Sequence, residues 1–135
     1  METITTQARL EEVVATRSDE VHWIGDTKGK WLQAHAGADF VALNGAYIAA
    51  RTGSLVEAAN GAHVMADEDS YVIALNGAVV VAYAGSRVVA YAGSRVVACV
   101  GSHVDAFAGS WVWARAGSTI DARAGSDIVR PKVQS

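Results

Sequence analysis

The chain has 135 residues, 51% of them apolar and 19% charged, with a formal net charge of −3. That is one domain's worth of structured polypeptide and excludes a disordered chain. Much of the apolar fraction is alanine and valine, which excludes a broad globular core. The basic residues line no single stripe of the kind a nucleic acid needs, and the lone Cys99 excludes an intramolecular disulfide.

The N-terminal stretch METITTQARLEEVV has neither a basic n-region nor an apolar h-region, so no signal peptide is expected. No run approaches the ~18 apolar residues that span a bilayer, so no membrane partner is expected either. The expected setting is a cytoplasm, or a phage particle assembled in one. Thr5 or Thr6 is placed to N-cap a short helix running to about Arg17, with Leu10, Val13 and Val14 on one side. Val21-His22-Trp23-Ile24 reads as a short strand and Gly25-Asp26-Thr27-Lys28 as a turn. A stack of repeats has open ends whose backbone and core need covering. Residues 1–28 are therefore expected to cap the first coil, with Trp23 as a buried capping side chain.

From Gly29 onward one eight-residue phrase recurs, Gly-(Ser/Ala)-x-(Val/Ile)-x-Ala-x-(Ala/Asn). Glycine holds the first position from Gly29 to Gly125 except at Asp69, and alanine the sixth from Ala34 to Ala122, until Arg130. Alternation within each octad has period two, so each is a strand with a turn at the glycine. Positions two, four and six face inward; three, five and seven face outward. Glycine supplies the positive φ of a corner, and aspartate is among the few residues that tolerate it.

An octad is too short to circle back around a core, so two of them make one flattened coil of sixteen. Asn44, Asn60 and Asn76, each followed by Gly-Ala, recur at that spacing, whereas the intervening corners read Thr52-Gly53-Ser54, Glu68-Asp69-Ser70 and Ala84-Gly85-Ser86. The three asparagines are expected to form a hydrogen-bonded corner ladder. The fold class is therefore all-β: a single-chain, two-sided parallel β-solenoid over residues 29–132. It has about six and a half coils, is roughly 30 Å long at ~4.8 Å per strand, and leaves a short tail at 133–135. Arg130 in the alanine slot and Pro131 are expected to block further strand addition at the far end.

Sixteen-residue coils stack outward side chains into columns. One apolar strip wraps a corner, and its expected interface residues are Tyr47, Val79 and Trp111, then Met65, Val81, Val97 and Trp113, and around the corner Leu75, Tyr91 and Phe107. The opposite corner mixes Arg51, Asp67, Tyr83 and Cys99 with Asp39, Arg87 and His103. Residues 1–84 carry five Lys/Arg against eleven Asp/Glu, and residues 85–135 carry six against three. Such a gradient fits dipolar association as well as an unevenly charged long surface.

No catalytic, cofactor or metal site is expected. His22, His35, His63 and His103 fall in different columns or in the cap, and Asp67-Glu68-Asp69 is a single acidic cluster without a calcium-binding repeat. The recurring serines lack a His/Asp partner, the glycines precede no helix as in a phosphate loop, and Cys99 lies beside Val97 and Tyr83 rather than among cations.

The Gly85-Ser86…Ala90 and Gly93-Ser94…Ala98 units resemble the repeat of bacterial ice-nucleation proteins, and the likeness extends over about residues 29–130. It implies the same sixteen-residue coil and, as an alternative function, binding of ice or another surface. The family's outward Thr-x-Thr columns are replaced here by pairs such as Arg87/Val89, Arg95/Val97 and Trp111/Trp113. The strict octads also resemble the three-chain β-helix of phage and secretion-system spike tips, which implies a trimeric spike component; the sixteen-residue asparagine spacing favours the single-chain coil. Similar octad arrays occur in bacterial and phage proteins. The leading expectation is a non-enzymatic structural or protein-interaction module that self-associates, as a dimer or trimer, through its apolar face.

Overall fold

The computed structural model describes residues 3–16, 21–34 and 39–130. The chain opens with β1 (Thr3–Ile4), α1 (Gln7–Thr16), β2 (Val21–Ile24), β3 (Leu32–Ala34) and β4 (Asp39–Ala42). There follow β5 (Tyr47–Ala50), β6 (Leu55–Ala58), β7 (His63–Ala66), β8 (Tyr71–Ala74), β9 (Val79–Ala82) and β10 (Arg87–Ala90). The last are β11 (Arg95–Ala98), β12 (His103–Ala106), β13 (Trp111–Ala114), β14 (Thr119–Ala122) and β15 (Asp127–Val129). Odd strands from β3 to β15 form a seven-stranded sheet; β1 and the even strands form an eight-stranded one. Every pairing is parallel, and from β3 and β4 onward partners stand sixteen residues apart, as with Arg87 between Tyr71 and His103. The protein is a two-sided parallel β-solenoid wound from one chain.

The corners explain the glycine register. Between Leu43 and Ala46 the chain reverses about Asn44-Gly45, closed by the Ala46 N–H donating to the Leu43 carbonyl at 2.9 Å, with Gly45 at φ +84°. A single positive φ at the third residue is the geometry of a type II turn. Asp69 takes the same place at φ +61°. Successive corners are tied by backbone bonds that run forward, Gly45 N–H to Gly61 C=O at 3.1 Å and Gly61 N–H to Gly77 C=O at 3.1 Å. Where the octad has serine, its hydroxyl donates back to the corner carbonyl three residues earlier, as in Ser86 to Tyr83 and Ser94 to Tyr91, both at 2.6 Å. That bond satisfies a buried hydroxyl and explains why a small polar residue is tolerated there.

Inside, the fourth and sixth octad positions form a continuous stack in which Val56, Val72, Val80, Val96, Val104 and Val112 are fully buried, together with the alanines from Ala34 to Ala106. Within the repeats the sixth position holds alanine throughout, from Ala34 to Ala122. Bulkier residues enter the inward columns at the two ends, with Ile24, Phe40 and Ile48 buried at one and Ile120 and Ile128 packed against the core at the other.

The N-terminal segment both covers and extends this stack. Thr6 Oγ1 accepts the Arg9 N–H at 3.3 Å, which is N-capping geometry for α1, and Leu10 and Val13 are buried beneath the helix. Gln7 reaches the edge strand β3: the Gln33 N–H donates to Gln7 Oε1 at 2.7 Å, and Gln7 Nε2 donates to the Gln33 carbonyl at 3.3 Å. The strand β2 is a full rung of the eight-stranded sheet, and β1 pairs outside it. Their registers are longer than those of the repeats, Val21 lying opposite Asp39 and Thr3 opposite Trp23. In β2 the inward residues are His22, in the column of Phe40 and Val56, and Ile24, in that of Ala42, while Trp23 points outward and is only half-buried. The expectation of a buried Trp23 is thus reversed by the parity of the strand.

A different corner turns the chain into the seven-stranded sheet. Lys28 and Gly29 both have positive φ, and the Lys30 N–H donates to the Thr27 carbonyl at 3.1 Å. The Lys28 N–H also donates to Asp26 Oδ1 at 2.8 Å, and that bond, with the nearby Lys28 ammonium, draws the Asp26 carboxyl below its ordinary range.

In β14 and β15, Ile120 and Ile128 are half-buried and Ala122 is exposed, where the equivalent residues one coil earlier are sealed. Arg130 follows β15 as an exposed residue; Pro131 lies outside the described residues.

Candidate interaction surface

The seven-stranded sheet presents three outward columns. Registers place Tyr47, His63, Val79, Arg95 and Trp111 above one another in the first, and Ala49, Met65, Val81, Val97 and Trp113 in the second. Around the asparagine corner, Leu75, Tyr91 and Phe107 form the last outward column of the eight-stranded sheet, each donating its N–H to the alanine seventeen residues earlier at 2.9 Å. All ten residues of the expected strip lie around this one corner, with His63 and the exposed Arg95 interrupting the first column. Leu75, Tyr91 and Trp113 are exposed; Tyr47, Met65, Val79, Val81, Val97, Phe107 and Trp111 are half-buried.

Part of the aromatic surface is consumed within the chain. Trp31 meets Tyr47 edge-on at 5.0 Å, and Tyr47 stacks on His63 at 4.5 Å. Tyr91 stacks on Phe107 at 5.0 Å, and the Arg123 guanidinium covers the Phe107 ring at 4.8 Å from its centroid. Trp111 and Trp113 contact each other at 6.2 Å. Aromatic neighbours in one column contribute about 0.5–1.5 kcal/mol each beyond simple burial. These columns stabilise the coil as well as forming its surface. Ala49 also differs from its neighbours in the second column. It points outward yet is 4% exposed, covered by its larger neighbours, whereas Trp113 at the other end of the column is 43% exposed.

The expected corner ladder takes another form in its side-chain contacts. Asn44, Asn60 and Asn76 stand in one column, but each side-chain oxygen lies against the glycine of the next coil. A Cβ built on Gly61, Gly77 or Gly93 would overlap the oxygen of Asn44, Asn60 or Asn76 respectively. The same corner carries two shallow grooves, one of about 460 Å³ beside Gly93, Ser94, Arg95, Gly109 and Trp111, the other of about 370 Å³ beside Gly77, Val79, Gly93 and Arg95. They are open depressions where small residues leave the corner low between Val79, Arg95 and Trp111.

The opposite corner is polar. Arg51 pairs with Asp67 one coil on at 2.7 Å, and the Tyr83 hydroxyl contacts Met65 Sδ at 3.9 Å. On the eight-stranded sheet His103 Nε2 lies 3.3 Å from Asp105 Oδ1. Two residues apart on a strand means the same face, which the His103-Val104-Asp105 sequence already shows. Among the described residues no three His, Cys, Asp or Glu side chains converge as a metal would need, and no helix is long and apolar enough to cross a membrane. His35 lies outside the described residues. No family model matches the chain, no curated protein matches it, and no solved structure does.

Proposed function

We propose that this chain is a structural, non-catalytic interaction module that self-associates through the apolar strip around the asparagine corner. The observation that carries the reading is the exposure of Leu75, Tyr91 and Trp113 around the same corner as the half-buried Val79, Val81 and Val97. Contiguous apolar area beyond several hundred Å² is unusual on a protein that stays monomeric. The platform is rigid, since Val79, Val81, Val97, Trp111 and Trp113 sit on strands paired on both sides, so little ordering cost opposes association.

Substituting Val81→Lys together with Val97→Lys places two ammonium groups in the centre of the strip without touching an inward position. The double variant is expected to remain folded by circular dichroism and to sediment as a smaller species than the parent. An unchanged mass would remove the proposal.

A further inference from the structure

We propose that the trough running along the asparagine corner past Gly77, Gly93 and Gly109 binds an anionic sugar chain, with a sugar carboxylate on the Arg95 guanidinium and an apolar ring face against Trp111. This goes beyond self-association and stands on separate observations. Two open depressions meet here, one of about 370 Å³ beside Gly77, Val79, Gly93 and Arg95, the other of about 460 Å³ beside Gly93, Ser94, Arg95, Gly109 and Trp111. They share Gly93 and Arg95, so they form one trough along the stack with Arg95 at its middle rung. Its floor is low because each of these corners turns on a glycine.

The guanidinium in the middle of the trough is uncommitted. Arg51 is paired with Asp67, and Arg123 lies on the Phe107 ring. Arg95 is exposed and has no ion pair, ring contact or side-chain hydrogen bond among the described residues. Its surroundings supply no acid. Between Asp69 and Asp121 the one acidic residue is Asp105, which lies on the eight-stranded sheet beside His103, whereas the same stretch carries Arg87, Arg95 and Arg115. In the column of Arg95 the next acid is Asp127, two rungs away beyond Trp111, or ~9.6 Å. A guanidinium with both arms of its fork free takes a carboxylate through two parallel hydrogen bonds.

Shape selects a chain over a compact molecule. A pocket for a small ligand encloses most of its surface, and this trough is shallow and open along the stack. A ligand laid lengthwise passes Val79, Arg95 and Trp111 in turn, at ~4.8 Å per rung. The half-buried Val79 and Trp111 flank the charge with apolar surface, which suits the apolar face of a sugar ring. The Asn76 side chain lies against Gly93 and makes no hydrogen bond among the described residues, so its amide is free for a hydroxyl. An acidic peptide fits less well, because the main chain at the corner is already engaged. The Gly77 and Gly93 N–H groups donate to the carbonyls of Gly93 and Gly109 at 3.0 and 2.9 Å, leaving no edge for strand addition. A nucleic acid also fits less well, since its binding rests on neutralising several phosphates and the trough offers one guanidinium.

The trough shares Val79 and Trp111 with the apolar strip, so the test uses protein diluted to where it sediments as a single chain. Tryptophan emission is followed while a uronic-acid trisaccharide, the neutral trisaccharide of the same linkage, an acidic tripeptide or a thymidine trinucleotide is added. The uronate is expected to bind, more weakly as salt is raised, and the neutral sugar to bind at least tenfold less tightly. Arg95→Ala is expected to lower uronate affinity tenfold or more with unchanged circular dichroism, and Arg95→Gln, which keeps the stem, to do the same. Arg87→Ala, at an equally exposed arginine whose Gly85 corner is overlaid by Glu68, is expected to leave it unchanged. Equal losses in the Arg87 and Arg95 variants would reduce the effect to general charge and overturn the site. Tighter binding of the peptide or the trinucleotide than of the uronate would overturn the ligand class. Absence of uronate binding to the parent would overturn the proposal outright, while the sedimenting mass at higher concentration tests self-association separately.

Discussion

Single residues carry the coil in two ways, and glycine shows both. Gly77 has φ +83°, and a Cβ there would overlap the Asn60 oxygen; Gly29 has φ +78° with nothing within 4 Å of the same position. Gly29→Ala is thus expected to cost only the left-handed backbone term, about 1 kcal/mol, and Gly77→Ala about 2 kcal/mol or more, because the asparagine must also move. Equal losses in urea unfolding would show that the asparagine contact contributes nothing. The glycine register was legible in the sequence, and so was the tolerance of Asp69. The Asn–Gly packing was not, because a period of sixteen specifies which residues share a column and not whether they touch each other or their neighbours' backbone. His22 is the other informative residue: it is buried in the apolar column, with Nε2 lacking a hydrogen-bond partner among the described residues. His22→Leu removes an unsatisfied polar atom at similar volume and is expected to raise stability by about 1 kcal/mol in thermal unfolding. A clear loss would mean that the ring nitrogen is held by a group other than those described.

At the scale of the strand and coil, the alanine at the sixth position sets how closely the two sheets approach. Ala90 is fully buried, with Ala74 and Ala106 as its register partners in the neighbouring coils. Ala90→Leu is expected to overpack the coil and cost about 1–3 kcal/mol, read as a drop in the urea midpoint at unchanged m-value. A neutral result would mean that the interior has slack the burial does not show. Strands β5 to β15 were legible because their octads are unbroken. The entry of β1 and β2 into the sheet was less so, since their registers depart from sixteen and no repeat marks them. Strand parity decided the roles of His22 and Trp23, and parity is lost when a segment is read as a lid rather than as a rung. The ends differ for a similar reason. Gln7 closes the β3 edge through one side-chain amide, a contact twenty-six residues distant in sequence, while at the other end of the described residues Ile120 and Ile128 are half-buried and Ala122 exposed.

At the scale of the whole molecule, the solenoid is a stiff plate with one apolar corner, one polar corner and an uneven charge along its length. Its outline and the members of the strip could be read from the sixteen-residue spacing. The stacking of Tyr91 on Phe107 and the covering of Ala49 could not, since both depend on side-chain size against neighbours in three dimensions. The most direct test of the account is the solution mass of the unmodified chain by sedimentation equilibrium across micromolar concentrations. The account predicts a species of at least twice the 14.1 kDa chain mass that dissociates on dilution. A mass of one chain throughout that range would contradict it.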